Sequence, residues 1–184
     1  IEDVPILAEL GGFEIHPGFK YLSANHKSDY LRSHLMLSLG GLYSDVKPPP
    51  RSLTSCLAKF FNEPGWFAGH PEVDVGGISL ESPPEVRENW SRLAGNTHFA
   101  FRPGTDFARE WVARVENKMD QHHTDLMAWG EVHAGRGPIS SDSSFERYPM
   151  RWAELQGELF HQLQYDFDFP ARLSLPSPSS KHYL

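Results

Sequence analysis

The chain has 184 residues, 39% hydrophobic and 22% charged, so it can bury the core of a globular domain and lacks the composition of a disordered protein. Its formal net charge of −7 excludes a general basic surface that would attract nucleic acid or an anionic membrane. Cys56 is the only cysteine, which excludes a disulfide framework and a cysteine-rich zinc site.

The first third of the chain is predicted to contain two helices and one short strand. Glycine and proline breaks in residues 1–21 predict loops with short extended pieces. Apolar residues at helical spacing predict an amphipathic helix over residues 26–39, which a Gly-Gly pair ends. Residues 42–43 then start a short strand that places Asp45 at its carboxyl end, before a run of three prolines. A second helix is predicted over residues 53–62.

The remainder of the chain is predicted to alternate between loops, strands and two longer helices. Residues 63–84 are rich in proline and glycine and predict loops with one or two short strands. Alternating polarity predicts a strand over residues 97–102. Apolar stripes predict helices over residues 105–122, with a threonine cap, and over residues 150–164. The predicted fold class is therefore α/β.

The sequence also gives expectations about membrane association, cellular location and domain boundaries. Its apolar runs are shorter than the roughly 18 residues needed to cross a bilayer, and no signal-peptide pattern opens the chain. We expect a soluble, cytoplasmic protein without a transmembrane segment. Residues 1–174 are predicted to form a single domain, and residues 175–184 a loosely held Ser/Pro-rich tail.

Three charged residues are candidates for a binding site. Asp29 and Arg32 are three residues apart on the first turn of a predicted helix, so they share a face. A carboxylate beside a planar guanidinium suits sugar hydroxyls and phosphate oxygens. The following strand delivers Asp45 to the sheet edge where α/β proteins usually bind ligands. Taken separately, the pair also fits an exposed ion pair, and Asp45 also fits a turn former.

Residues 27–47 resemble the sugar-binding region of glycosyltransferases such as yeast initiating mannosyltransferases, clostridial glucosylating toxins and bacterial capsular polysaccharide enzymes. The shared pattern is Ser-Asp-x-x-Arg, a helix, and Gly-Gly-x-Tyr-x-Asp-x-Asp, and weaker similarity continues at residues 96–98 and 148–152. The resemblance implies a GT-A-like mixed sheet flanked by helices. It also implies transfer of a sugar from a nucleotide diphosphate sugar to a saccharide or glycolipid acceptor. The substrate-binding residues expected on this basis are Ser28, Asp29, Arg32, Gly41, Tyr43, Asn96 and His98.

Lys47 departs from the family pattern because it stands where the second metal-binding carboxylate is expected. By their positions in the family pattern, the expected catalytic residues are Asp45 and Lys47. Asp45 is the single candidate metal ligand. An ammonium group repels Mg²⁺ or Mn²⁺, so binding of either metal in the family's usual manner is doubtful. Two interpretations remain open: Lys47 replaces the metal and neutralises the departing diphosphate, or it points to solvent.

A protein of another class is the main alternative, namely a non-catalytic module or pseudoenzyme that binds a nucleotide sugar. Lys47 favours this alternative, and so does the short stretch ahead of the motif. In GT-A enzymes a strand and helix that hold the nucleotide usually precede the motif by several tens of residues, whereas 26 residues precede Lys27 here. Either this part of the domain is reduced, or it lies upstream of Ile1, or nucleotide binding has been lost.

Overall fold

The computed structural model describes residues 4–45, 53–132 and 148–177. The α-helices are α1 (Val4–Gly11), α2 (Ala24–Ser38), α3 (Thr54–Asn62), α4 (Pro84–Glu88), α5 (Asp106–Val132) and α6 (Gly157–Asp166). The strands are β1 (Gly41–Ser44), β2 (Phe67–Pro71), β3 (Ala94–Phe101) and β4 (Arg172–Leu173), with short 3-10 turns at Pro17–Tyr21, Val75–Gly77 and Trp90–Arg92. No helix in these ranges is long and apolar enough to cross a bilayer.

The described strands form one mixed sheet in the order β1-β3-β2-β4. The central strand β3 pairs antiparallel with β1 and with β2, whereas β4 runs parallel to β2. Helices pack on both faces, so the structure confirms the predicted α/β class.

One face of the sheet carries an aromatic core. Phe99 and Phe101 point to the same side of β3 because alternate strand residues share a face. The ring of Phe99 lies 5.0 Å from that of Phe160 on α6 and 5.7 Å from that of Trp111 on α5. These fully buried rings fix α5 and α6 against the sheet.

The opposite face of the sheet is lined by small residues. Ala68 and Ala100 pack there with Phe60 of α3 and with Leu175. Leu175 is 3% exposed and its backbone N–H donates to the carbonyl of Gly69 at 3.0 Å. The prediction of a loose tail is therefore wrong at Leu175, because an apolar side chain and a sheet-edge hydrogen bond hold it. Residues 178–184 of the predicted tail lie outside the described part of the chain.

The turn from α2 into β1 follows the predicted course. Ser23 caps α2, its side chain accepting the N–H of His26 at 3.2 Å, and the helix ends one residue before the predicted end. Gly40 and Gly41 then adopt φ values of 62° and 97°, which other residues resist. A Cβ on Gly40 would also lie 2.6 Å from the carbonyl oxygen of Phe101. The helix over residues 53–62 is likewise confirmed as α3.

The prediction for residues 1–21 is wrong, because a helix and a 3-10 turn occupy most of this segment. Helix α1 buries Val4 and Ala8, one helical turn apart, against the core. The glycine pair that suggested a loop instead ends this helix, since Gly12 has a φ of 65° and suits a left-handed helix end.

Two other helix boundaries differ from the prediction. Helix α5 continues ten residues past residue 122, because Leu126 extends its buried stripe. Helix α6 begins at Gly157 instead of residue 150, and residues 152–156 form turns. Trp152, which helical spacing placed in the core, is consequently 57% exposed.

Candidate functional site

A cavity of about 840 Å³ opens between α2, the carboxyl end of β1, the segment after β2 and the turns ahead of α6. Its volume falls within the range usual for small-molecule sites. Four of the residues predicted from sequence line it: Asp29, Arg32, Asp45 and Asn96. The helix-turn-strand arrangement of residues 24–45 therefore brings both parts of the predicted site to one cavity.

Asp29 and Arg32 form an ion pair inside the protein wall. Nη2 of Arg32 lies 2.9 Å from Oδ1 of Asp29. Arg32 is 7% exposed and Asp29 is 3% exposed. Arg32 also donates from Nη1 to the carbonyl of Asn96 at 3.1 Å and stacks 4.0 Å over the ring of Tyr43. The exposed ion pair considered from the sequence is thus replaced by a buried and oriented one.

The carboxyl group of Asp29 has a pKa close to neutral pH. Burial raises the pKa of Asp29 to about 7, Arg32 opposes this rise and Asp45 adds to it. Asn25, one turn earlier on α2, donates to Oδ2 of Asp29 at 3.2 Å. Near neutral pH this carboxyl can accept a hydrogen bond from a ligand hydroxyl or donate one to it.

Asp45 is positioned at the end of β1 by its neighbours. Its backbone N–H donates to the carbonyl of Thr97 at 2.7 Å. The Tyr43 hydroxyl donates to Oδ1 of Asp45 at 2.7 Å. Burial raises the pKa of Tyr43 to about 12, so this hydroxyl keeps its proton. Asp45 therefore presents an oriented carboxylate to the cavity.

The other predicted site residues lie elsewhere. Ser28 accepts a hydrogen bond from Arg32 Nη2 at 3.3 Å, and Tyr43 supports Asp45, so both stand behind cavity residues. Gly41 pairs with Phe101 at the opposite end of β1. His98 packs against the His70 ring at 4.4 Å and donates to the carbonyl of Pro176, so it does not line the cavity. Lys47 lies outside the described residues.

Several cavity residues were not predicted from the sequence. Asn25 could have been found, because it lies one helical turn before Asp29 on the same face. Trp152 lies in the segment 148–152 that resembles the family weakly, but helical spacing predicted it to be a core residue. The others come from segments without a distinguishing pattern and reach the cavity only through long-range folding; they include Glu72, Asp74 and Gln156.

The segment that carries Trp152 is tied to α2 by buried polar contacts. Nε2 of His26 lies 3.0 Å and 3.2 Å from the carbonyls of Arg151 and Trp152, which can only accept, so Nε2 carries a proton. Nδ1 of His26 then accepts from the Tyr148 hydroxyl at 2.9 Å. Burial lowers the pKa of His26, which keeps the ring neutral.

Glu72 enters the cavity wall from the segment after β2. Its Oε1 lies 3.2 Å from Nε2 of the buried His161 on α6. Burial is the largest influence on the pKa of Glu72 and raises it, but His161, the charge of His70 and the backbone of Val73 together outweigh burial and lower the pKa. Glu72 is therefore ionised at neutral pH. The described residues that line the cavity include four acidic side chains, those of Asp29, Asp45, Glu72 and Asp74, and the guanidinium of Arg32.

Comparisons with models of protein families, with curated proteins and with solved structures give no match to this chain. The chemistry of the site is therefore inferred from its own residues.

The carboxylates of this cavity are hard oxygen ligands of the type that Mg²⁺ and Mn²⁺ prefer. In the described ranges, however, no group of three or more His, Cys, Asp or Glu side chains is arranged to hold a metal ion. The residues present thus offer an incomplete metal site, and a metal at Asp45 remains a prediction.

Proposed function

We propose that this chain binds a nucleotide diphosphate sugar in the cavity and transfers the sugar to a saccharide or glycolipid acceptor. We also propose that the observed mixed sheet and its flanking helices belong to a GT-A-like fold. The observation that carries the proposal is the buried Asp29–Arg32 pair, which faces the same cavity as Asp45. The sequence pattern that includes these residues supports it.

The energetics of the pair favour a binding role. Burying two charges costs desolvation free energy that their attraction often does not recover, so a buried ion pair is weak evidence of a stabilising role. At a cavity wall the same pair offers a guanidinium to phosphate oxygens and a carboxyl to sugar hydroxyls. Its burial keeps both groups oriented before a ligand arrives.

In the proposed reaction the bond between the anomeric carbon and the diphosphate oxygen breaks, and its electron pair leaves with the diphosphate. An acceptor hydroxyl oxygen bonds to the anomeric carbon, and its proton passes to the departing diphosphate. Asp29 and Arg32 orient the donor, and Asp45 holds a donor hydroxyl. Lys47 supplies positive charge to the departing diphosphate in addition to that of Arg32, because the other charged residues that line the described cavity are acidic.

Replacement of Asp45 by asparagine is expected to weaken nucleotide-sugar binding by about tenfold or more, because one of the two acceptor oxygens becomes an amide group that can only donate. Titration calorimetry with UDP-glucose, UDP-galactose, UDP-N-acetylglucosamine and GDP-mannose measures this effect. Asp106→Asn is the matched control, since Asp106 is an exposed aspartate on α5. Equal binding by wild type and Asp45→Asn would show that the site is misplaced.

The role proposed for Lys47 predicts activity without a metal. Sugar transfer by the wild type should survive EDTA, whereas Lys47→Ala should lose about 2–5 kcal/mol of binding or transition-state stabilisation. Lys47→Asp should create dependence on Mn²⁺, since it adds a second carboxylate to the motif. Transfer rates with and without metal in the three proteins measure these effects. Strict metal dependence in wild type, with Lys47→Ala unchanged, would contradict this role.

The same measurements separate the enzyme from the non-catalytic alternative. A transferase releases the nucleotide diphosphate in the presence of an acceptor, whereas a binding module holds the nucleotide sugar without turnover. Binding that depends on Asp45 but gives no diphosphate release with any saccharide or glycolipid acceptor would favour the module.

A further inference from the structure

Gln156 is a buried polar residue whose side chain is unpaired. It lines the cavity immediately before α6 and is 3% exposed. Neither Nε2 nor Oε1 of its amide has a hydrogen-bond partner among the described residues. It occupies the N-cap position of α6, yet its side chain makes no capping hydrogen bond.

Gln164 on the same helix shows how a buried glutamine is normally satisfied. Its Oε1 accepts the N–H of Ala94 at 2.7 Å, and its Nε2 donates to the Ala94 carbonyl at 3.0 Å. Both glutamines are buried, but only Gln164 uses its amide to join α6 to β3. An unpaired buried amide destabilises the folded state, so Gln156 lowers stability where Gln164 raises it.

The surroundings of Gln156 place it near the ion pair. The adjacent Gly157 also lines the cavity, and a Cβ there would lie 3.5 Å from Nδ2 of Asn96. The carbonyl of Asn96 in turn accepts from Arg32. Gln156 therefore immediately precedes a residue that lies beside Asn96, and the Asn96 carbonyl orients Arg32 in the wall of the same cavity.

The chemistry of an amide selects the part of the ligand that it can contact. An amide offers a donor and an acceptor side by side, which matches two neighbouring hydroxyls that can each donate or accept. It carries no charge to balance a diphosphate. Nε2 and Oε1 are both enclosed in the free protein, so the side chain must rotate to reach a ligand in the adjoining cavity. The terminal torsion of glutamine is broad, which leaves the order of donor and acceptor free to match the ligand.

We propose that Gln156 determines sugar specificity by hydrogen-bonding two adjacent hydroxyls of the donor sugar. This proposal rests on the proposed function and assigns one more residue to its site. The stability that the unpaired amide costs the free protein is recovered when the sugar pairs with both of its atoms.

The test combines stability and binding in one variant. Gln156→Leu keeps the approximate volume but removes the amide, so its melting temperature should rise by a few degrees. The same variant should bind the tightest of UDP-glucose, UDP-galactose, UDP-N-acetylglucosamine and GDP-mannose at least about tenfold more weakly. Its affinity for free UDP or GDP should stay unchanged. Gln164→Leu is the matched control and should lower the melting temperature without changing sugar preference.

Each alternative outcome is distinguishable. A melting temperature that falls in Gln156→Leu, or a variant that does not fold, overturns the inference because the amide then stabilises the free protein. Unchanged nucleotide-sugar affinity in Gln156→Leu overturns it while leaving the proposed function intact. If no nucleotide sugar binds wild type, both proposals fail. Gln156→Asn keeps an amide but has a shorter side chain. This variant should discriminate less well than wild type between its tightest nucleotide sugar and the other three of the panel. An unchanged preference counts against the inference.

Discussion

Replacement of Arg32 by alanine is expected to lower the free energy of unfolding by about 3–5 kcal/mol at about pH 8, because it leaves the ionised and buried carboxyl of Asp29 without its cation. Asp29 is 3% exposed and its Oδ1 lies 2.9 Å from Nη2 of Arg32, so the guanidinium is its nearest cation in the folded protein. The variant also loses the hydrogen bond to Asn96 and the stack on Tyr43. Denaturant unfolding measures the effect.

The pH dependence of this effect has a definite sign. The pKa of Asp29 is raised by burial from 3.8 to about 7, so the folded state binds a proton that the unfolded state releases. The contribution of Asp29 to stability is therefore complete below about pH 4 and is lost as pH rises through about 7. Arg32→Ala should consequently cost less at about pH 5, where Asp29 is protonated, than at about pH 8. Asp29→Asn should remove this slope.

Arg109 is the matched control for Arg32. It pairs with Asp106 at the same three-residue spacing, with a distance of 3.0 Å, but this pair lies on the exposed face of α5. Arg109→Ala should change stability by no more than about 1 kcal/mol. If the two arginine variants lose equal stability, the pair at Asp29 is not buried as described.

Replacement of Glu154 by alanine is the second large effect expected, about 2–4 kcal/mol of lost stability. The carboxylate is 3% exposed and accepts from Lys118 Nζ at 3.2 Å and from the Arg151 backbone N–H at 3.0 Å. It also contacts His122 Nε2 at 3.0 Å. Its loss leaves these groups facing a gap; because Lys118 and His122 are partly solvated, the cost stays below that of a fully buried pair.

Glu154 also bears on the cavity, because it holds the turns that carry Trp152 and Gln156. Thermal and denaturant unfolding should show the loss, with Glu110→Ala as the control. Glu110 pairs with Arg114 on the same helix α5 but is half-exposed, so its removal should cost no more than about 1 kcal/mol. A Glu154→Ala protein as stable as the control would contradict the structural role assigned to this carboxylate.

The sequence alone determined the local part of the candidate site. The three-residue spacing of Asp29 and Arg32 places them on one helix face wherever the helix lies, and a glycine pair can reverse the chain directly into β1. Asp45 therefore follows within a few residues at the end of that strand. Helices α2 and α3 could also be predicted, because the periodic spacing of apolar residues depends only on residues close together in the sequence.

The tertiary structure alone decided what surrounds these residues. The position of the Asp29–Arg32 pair depends on the hydrogen bond from Arg32 to the carbonyl of Asn96, 64 positions along the chain. The position of Trp152 depends on the contact of its carbonyl with His26, 126 positions away. It also decided that His98 packs against His70 and that Gln156 is buried in the cavity wall without a hydrogen-bond partner among the described residues. Periodicity records which face of an element is apolar, whereas these contacts depend on which elements meet, and the packing of the whole core determines that.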